Sequence, residues 1–499
     1  MQQTKTLNSV RNAERNSKGQ RKDTDTEKNN LYTVSFLSEI AILEIRVFQH
    51  CAGRQGDLMT GESMEEQRLI FHIDVNSAFL SWTAVKRLQE DPSSVDLRTI
   101  PSAVGGDRKT RHGIITAKSI PARKYGVTTG EPVVKALQKC PNLVLVEGDF
   151  ETYRKYSHAF IEILHRYAPV VEQVSIDEAF LDLTGTENMY AQLATPSQPF
   201  PVCLAEKIKD EIRDTLGFTV NVGISTNKLL AKMASDFTKP DRIHTLYPEE
   251  VPQKMWPLEI GELYGCGKST AQRLKSLGIR TIGDAAQMKE ETLQSMLGEK
   301  GGTYIFQSAN GISTSRVSGE TEEAKGYSNE TTTMQDITTE NYVAEATPIL
   351  RWLSEKVAER LRRDGVYAQT IGVSVKTDDF KRHSRQTTLK ESVSRTDLIF
   401  HTAVELLNQL MLGADGLFIK GSHIRLIGVS ATNLDHGEYR QMNLFDLAPQ
   451  QDKAMPETPG TKPVSVEKEQ RLDAMTDKIR SEFGKNAIRR GSELEHQQR

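Results

Sequence analysis

No run of apolar residues in this 499-residue chain is long enough to cross a bilayer, so the sequence offers no helical membrane span. Cysteine is scarce. The four present, Cys51, Cys140, Cys203 and Cys266, have neither metal-site nor redox spacing, which removes a disulfide scaffold and points to a reducing, cytoplasmic setting. Net charge is also small, at −3, so bulk electrostatics draws the chain to neither nucleic acid nor an anionic membrane, and any such partner must be met by local patches. There is no solenoid-type repeat and no basic-then-apolar secretory start. What the chain does have is length, enough for several domains with their own cores.

Residues 1 to about 30 are polar and nearly free of aromatics, a composition that stays disordered. Leu31 to Gln49 is more apolar but ends at Gly53-Arg54-Gln55-Gly56 with no partner element in sight. The expectation for 1–67 is a disordered leader or a start called too far upstream, with Met59 or Met64 as the alternative start and a regulatory extension as the competing reading.

The chemistry centres on Val174-Ser175-Ile176-Asp177-Glu178-Ala179-Phe180-Leu181-Asp182-Leu183. Apolar residues alternate on both sides of an acidic pair, which predicts a hairpin with Asp177-Glu178 at its bend. Adjacent carboxylates at a strand end repel, and a bound cation relieves that repulsion. A second acidic strand lies upstream, Ile70-Phe71-His72-Ile73-Asp74-Val75-Asn76, followed by a helix over Ser77 to Leu88 capped by Asn76 or Ser77. A basic segment, Pro101 to Val127, sits between the two acidic strands and reads either as a solvated face or as a phosphate-facing one. Further on come helices over Phe150 to Tyr167, Leu204 to Leu216 and Asn227 to Phe237, with a strand from Val220 to Ile224. The pattern is α+β, and the two acidic strands are free to pair side by side.

Gly265-Cys266-Gly267-Lys268-Ser269-Thr270 ends like a nucleotide-binding P-loop, but Glu262 stands where that loop needs glycine. A helix–hairpin–helix is the better reading, its amides facing a DNA phosphate and Ala271, Leu274, Leu277 and Ile279 forming the packing face. From Thr331 to Val429 the element order is β-α-β-β-α-β, a four-stranded sheet backed by two helices. Lys376, Lys381, Arg382, Arg385 and Lys390 cluster at its central hairpin, placed either to follow a phosphate backbone or to guard a sheet edge. Beyond Asp435 the chain turns polar, with one short apolar peptide, Gln441-Met442-Asn443-Leu444-Phe445-Asp446, and one stretch, Val466 to Phe483, able to form a helix.

His72-Ile73-Asp74, Ser175-Ile176-Asp177-Glu178-Ala179, Gly223-Ile224-Ser225-x-Asn227-Lys228, Ala231-Lys232-x-Ala234-Ser235-Asp236 and Lys239-Pro240 resemble, in order, the successive motifs of the Y-family lesion-bypass DNA polymerases, and the chain is similar to their bacterial DNA polymerase IV-like branch over about 68–446. The resemblance implies an α+β right-hand polymerase: palm at 68–79 and 146–247, fingers at 80–145, a helix–hairpin–helix thumb at 248–320, a βαββαβ little finger at 324–436 and a flexible tail at 437–499. It implies an error-prone, template-directed enzyme that adds deoxynucleoside triphosphates to a primer–template by two-Mg²⁺ catalysis, acting as a cytoplasmic monomer.

The same resemblance implies roles residue by residue. Asp74, Asp177 and Glu178 match the metal ligands, helped by the main-chain carbonyl of Val75. Arg123 and Lys239 match positions that hold the triphosphate, and Phe79 matches the aromatic that excludes a 2′-hydroxyl; without the resemblance Phe79 reads as a core aromatic. Gly265, Gly267, Lys268, Lys376, Lys381, Arg382 and Arg385 are the DNA-contacting candidates. Gln441, Leu444 and Phe445 are similar to a sliding-clamp-binding peptide. Three departures stand out: Asn76 replaces a second Asp, Ala78 replaces an aromatic ahead of the sugar gate, and Ile120 replaces a tyrosine that touches triphosphate. The alternatives are an inactive DNA- and clamp-binding module, disfavoured by the intact carboxylates, and a nucleotidyl cyclase, disfavoured by the thumb, little finger and tail peptide.

Overall fold

The computed structural model describes residues 68–106, 113–320, 322–437, 466–484 and 487–488. The leader, the basic residues Arg108, Lys109, Arg111 and His112, and the peptide with Gln441, Leu444 and Phe445 lie outside the described residues. Helices shorter than five residues aside, the elements run β1 (Ile70–Val75), α1 (Ala78–Glu90), β2 (Ser102–Gly105), β3 (Ile115–Lys118), α2 (Ile120–Lys124), α3 (Val133–Lys139), β4 (Val144–Val146), α4 (Phe150–His165), β5 (Val170–Gln173), β6 (Glu178–Asp182), α5 (Phe200–Leu216), β7 (Val220–Ser225), α6 (Lys228–Asp236) and β8 (Ile243–Thr245). They continue with α7 (Lys268–Ser276), α8 (Ile282–Ala286), α9 (Glu290–Leu297), α10 (Glu299–Ala309), β9 (Gly326–Ile337), α11 (Tyr342–Arg363), β10 (Tyr367–Thr377), β11 (Arg382–Val393), α12 (Thr396–Leu412), β12 (Ile424–Asp435) and α13 (Val466–Phe483).

The first sheet has the order β5-β6-β1-β7-β8. Its central strand β1 pairs antiparallel with β6 and β7, so the two acidic strands are neighbours, with Asp74 directly opposite Glu178. Period-two alternation then sorts the sheet into two faces. Phe71, Ile73 and Val75 of β1, Ala179 and Leu181 of β6, and Val220, Val222 and Ile224 of β7 bury against Tyr153, Phe160 and Leu164 of α4 and Leu204, Ile208 and Ile212 of α5. Each such side chain contributes roughly 1.5–3 kcal/mol on full burial. The opposite face presents His72, Asp74, Glu178, Phe180, Asn221 and Gly223, and α6 lies on it, with Ala231 packed on Ile70 and Phe180.

The hairpin differs in detail from the alternation. Val174 and Ile176 belong to the turn, because β5 stops at Gln173 and the N–H groups of Val174 and Ser175 both donate to the Glu178 carbonyl, at 3.0 and 3.3 Å. Converging two donors on one acceptor ends the ladder, leaving Val174 45% exposed.

A smaller sheet, β3-β2-β4, with α2 and α3 forms its own core around Ala103, Ile115, Val133 and Ala136. Helix α1 belongs to two cores: Trp82 and Val85 pack with α4 and α5, while Leu80 and Ala84 pack against Val104 and Ala117. Helices α7 to α10 share one core with Leu229, Leu230 and Met233 of α6. The first arm of the expected helix–hairpin–helix is only a 3₁₀ turn, Ile260–Glu262. Leu277 is 49% exposed, because α7 ends at Ser276 and the chain turns there, so the packing face is Ala271, Leu274 and Ile279.

The last sheet has the order β11-β10-β12-β9, with α11 and α12 on one face. Its strands run well past the apolar stretches that predict them, because the uncovered face is built from Thr370, Gly372, Ser374, Gly428 and Ser430, which carry no hydrophobic signal. Lys376 shares that uncovered face by alternation with the buried Val373 and Val375. Arg382 forms a two-pronged pair with Glu330 at 2.8 and 3.1 Å, and Lys381 pairs with Asp379. Arg385 does not join them. Its Nε donates to Gln409 Oε1 of α12, on the helix side of the sheet.

Val466–Phe483 is helical and docked, which takes it out of the expected flexible tail. Arg362 binds Asp473 and Asp477, Arg395 binds Glu469, and Arg480 binds Glu355. Asp473 Oδ2 also accepts the Thr396 N–H at 3.0 Å, capping α12, whose own N-cap residue Arg395 offers no side-chain bond. Asp473→Ala should therefore cost about 1–2 kcal/mol, as loss of a cap and a charge-assisted bond does. The check is thermal unfolding, with a fall in Tm of a few degrees; a Tm equal to wild type would mean that α13 is undocked in solution.

Candidate active site

Three acidic residues meet at the C-terminal end of β1. Asp74 sits one residue from the strand end, Glu178 opens β6 beside it, and Asp177 closes the turn before β6. The turn is drawn onto β1 by Val75 N–H, which donates to the Asp177 carbonyl at 2.9 Å. Ser175 Oγ donates to Asp177 Oδ1 at 2.7 Å. Burial, and then the charges of Asp74 and Glu178, raise the Asp177 pKa despite that bond.

Two lysines reach the cluster from α6 and the loop after it. Lys232 Nζ lies 2.6 Å from Glu178 Oε2 and 3.4 Å from Asp74 Oδ2. Lys239 Nζ lies 3.0 Å from Asp74 Oδ2 and 2.8 Å from Asp236 Oδ1. Burial alone would lower both lysines, yet the surrounding carboxylates outweigh it and hold both above the ordinary value. Glu178 is pulled down to about 2, first by His72 and then, against burial, by Lys232. His72 is fully buried, with Nε2 3.3 Å from Glu178 Oε2 and Nδ1 2.8 Å from Ser235 Oγ; burial lowers its pKa.

These contacts require α6 to approach the sheet closely. Asn227 caps the helix by accepting Leu230 N–H and ties it to Gly311. Gly223 leaves the space: a Cβ there would lie 2.0 Å from the Ala231 carbonyl oxygen. Lys232 and His72 are the functional groups that residue-by-residue reading missed. The available signal was a lone lysine inside an otherwise apolar helical face, four residues before Asp236.

Beside the carboxylates opens a cavity of about 290 Å³ lined by Asp74, Asp177, Phe79, Ile120, Arg123 and Lys239, among others. The structure thus brings together residues spread over 166 positions of the chain, from Asp74 to Lys239, counting both ends. Arg123 is exposed and makes no ion pair among the described residues. It leaves the last turn of α2, which starts at the N-cap Ser119, whose Oγ accepts Ala122 N–H. Phe79 stacks on Tyr153 at 4.6 Å with its edge in the cavity, so it is both a core aromatic and a wall. Asn76 has its amide engaged by protein partners: its Nδ2 donates to Asn221 Oδ1 at 3.1 Å, and its Oδ1 accepts from Thr219 Oγ1 and Asp241 N–H.

Hard carboxylate oxygens suit Mg²⁺. Among the described residues no three acidic, imidazole or thiol groups converge as a closed cage. The fit is therefore to an ion held by one or two protein carboxylates, with water or phosphate completing its shell, and Asp177, whose charge lacks a cationic partner among the described residues, is the oxygen donor that such an ion would relieve. Gly265 and Gly267 flank the start of α7, with Lys268 at its first position; Gly265 has φ +82°, and a Cβ there would strike Tyr304.

Comparison with known proteins agrees with this layout. The model described as the impB/mucB/samB family matches residues 73–236, and that of its C-terminal domain matches 324–444. A third, described as the DNA polymerase-iota thumb domain, matches 261–313. The chain is 41% identical over 436 residues to a DNA polymerase IV from Clostridium acetobutylicum, covering 87% of this chain and 100% of that one. It is 34% identical over 439 residues to DNA polymerase IV 1 of Bacillus subtilis, covering 87% and 95%. Among solved structures it is similar to the Y-family DNA polymerase chimera Dbh-Dpo4(243-245)-Dbh, with a TM-score of 0.62 and 25% identity over 73% of this chain and 98% of the other.

The orientation of Asn76 yields a test. Asn221 cannot flip, because its Nδ2 already serves Ser235 O and Thr238 O at 3.0 and 2.7 Å. Asn76→Asp would set a carboxylate oxygen against Asn221 Oδ1. The expected outcome is a loss of about 1–3 kcal/mol, read as a lower midpoint in urea unfolding, with no gain in divalent-ion affinity. A variant of wild-type stability that binds Mn²⁺ more tightly would contradict this geometry.

Proposed function

The chain belongs to the Y-family lesion-bypass DNA polymerases of bacteria and is a DNA-directed DNA polymerase, and from that premise we propose how its own residues extend a primer and tolerate damage. Asp74 and Asp177 would hold one Mg²⁺, with the Val75 carbonyl assisting, and Glu178 would complete the site for a second. When bound, the two ions supply positive charge to the attacking and leaving oxygens of an in-line displacement. The observation that carries this reading is the cross-strand register that sets Asp74 opposite Glu178, with Asp177 adjacent and Lys118, Arg123 and Lys239 on the same cavity.

Arg123 and Lys239 neutralise triphosphate charge in that cavity. Lys239 exchanges its contact with Asp74 for phosphate when the nucleotide arrives. Phe79, held flat against Tyr153, lies under the sugar and leaves no room for a 2′-hydroxyl. Ile120 gives the cavity an apolar wall where a hydroxyl donor would otherwise grip phosphate, and the small β3-β2-β4 unit offers little steric check on the base pair; both favour low accuracy and tolerance of lesions. Gly265, Gly267 and Lys268 at the start of α7 receive backbone phosphate, and Lys376, Lys381 and Arg382 follow the duplex from the last sheet. Arg382 must leave Glu330 to do so. Gln441, Leu444 and Phe445 serve as a sliding-clamp peptide, and the enzyme works as a cytoplasmic monomer. An inactive DNA-binding relic would have no need to keep three carboxylates in register.

Primer extension on an undamaged template with Mg²⁺ and four deoxynucleotides tests the metal assignment. Asp177→Ala should lose several orders of magnitude in rate while still binding primer–template. Equal extension by both proteins would refute the site, and extension by neither would favour the inactive module. Phe79→Ala should raise ribonucleotide incorporation relative to deoxynucleotide, measured as the ratio of kcat/KM values for the matched pair; an unchanged ratio would make Phe79 a core residue only.

A further inference from the structure

Lys232 is the cation most closely engaged with the acidic cluster, yet it stands outside the substrate space. Lys239 lines the cavity with Arg123, whereas Lys232 does not. It approaches the carboxylates from behind, from α6, and its side chain is 12% exposed. Both of its closest contacts are to oxygens that the metal reading needs: Glu178 Oε2 at 2.6 Å and Asp74 Oδ2 at 3.4 Å. His72 Nε2 faces the same Glu178 oxygen at 3.3 Å. Glu178 Oε1 has no partner among the described residues. Gly223 holds α6 against the sheet, so Lys232 has nowhere to retreat.

We propose that Lys232 is a positioning residue for the polymerase site: it grips Glu178 by Oε2, leaves Oε1 alone to meet an incoming divalent ion, and keeps Asp74 and Glu178 together before that ion arrives. The role rests on the reading of Asp74, Asp177 and Glu178 as the Mg²⁺ ligands. A carboxylate pinned through one oxygen is a one-oxygen ligand with a set direction. Released, it can rotate, offer both oxygens, and pull the ion off line from the primer hydroxyl. Lys232 therefore trades some affinity for the ion against the geometry of attack, because its charge sits on the same carboxylates and repels the ion.

The test uses the full-length protein as wild type, Lys232→Met and Lys232→Arg. Mn²⁺ binding is followed by the electron paramagnetic resonance of the free ion, thermal unfolding is run in EDTA and in Mn²⁺, and steady-state extension gives kcat and KM. Removing the competing charge in Lys232→Met should tighten Mn²⁺ binding roughly tenfold. Its Tm should fall in EDTA and rise with Mn²⁺ by more than the wild-type Tm rises. At saturating metal, kcat should drop roughly a hundredfold through misplacement, with the deoxynucleotide KM little changed. Lys232→Arg should keep the Tm in EDTA and leave kcat reduced, and it carries the test if the methionine variant does not fold. Wild-type Mn²⁺ affinity and a wild-type rise of Tm with Mn²⁺ in Lys232→Met would overturn the proposal even if activity fell. Wild-type kcat in Lys232→Arg, with unchanged Mn²⁺ affinity, would overturn it where only that variant folds. Wild-type protein that binds no Mn²⁺ would overturn the metal reading itself, and the positioning role with it.

Discussion

Mutual repulsion among Asp74, Asp177 and Glu178 is the force that the surrounding structure is arranged to contain. Two of these carboxylates are answered by lysines: Lys232 joins Glu178 to Asp74, and Lys239 joins Asp74 to Asp236. The third, Asp177, has a serine hydroxyl and a raised pKa. A cluster that is half neutralised by fixed cations keeps its shape and yet retains one carboxylate whose charge has not been met.

Holding this cluster demands a sheet with two dissimilar faces. The face toward α4 and α5 is wholly apolar and supplies the cohesion. The face toward α6 is polar, and α6 covers it only because Gly223 lets backbone meet backbone. The same helix presents Leu229, Leu230 and Met233 to the core of α7 to α10. One helix thus places the lysine on the carboxylates and packs into the core that carries the turn at Gly265. The segment after α10 is tied to the same region: Val317 packs on Ile70, Phe180 and Ala231, and Glu172 accepts from both Lys228 Nζ and Ser318 N–H.

The last sheet follows a different rule. Its covered face is an ordinary apolar core, while its open face is made of glycine, serine and threonine beneath a few long cations. Small side chains keep that face low, so Lys376 and the Arg382–Glu330 pair stand above it. Helix α13 is docked at the other end of this unit by ion pairs and a cap rather than by apolar packing. Arg480 and Glu355, both nearly buried, show that the contact is specific.

Sequence by itself determined the local half of this protein. Alternation fixed which face of β1, β6 and β7 is apolar, apolar spacing placed α4, α6, α12 and α13, and the acidic pair with its upstream partner marked the chemistry. Those signals act between residues a few positions apart, so they survive in one dimension. Tertiary structure decided the rest. Only cross-strand register could set Asp74 opposite Glu178. Only the approach of α6 could bring Lys232 onto the Glu178 oxygen that His72 faces, and only the pairing of β1 with β7 could set Asn76 against Asn221. Where two donors met one carbonyl, the strand predicted at Val174 became a turn; where α7 ended, Leu277 lost its burial; and Arg385 followed the pleat to the helix side. Each of these outcomes depends on which distant atoms come into contact, and a period or a motif in the chain carries no record of that.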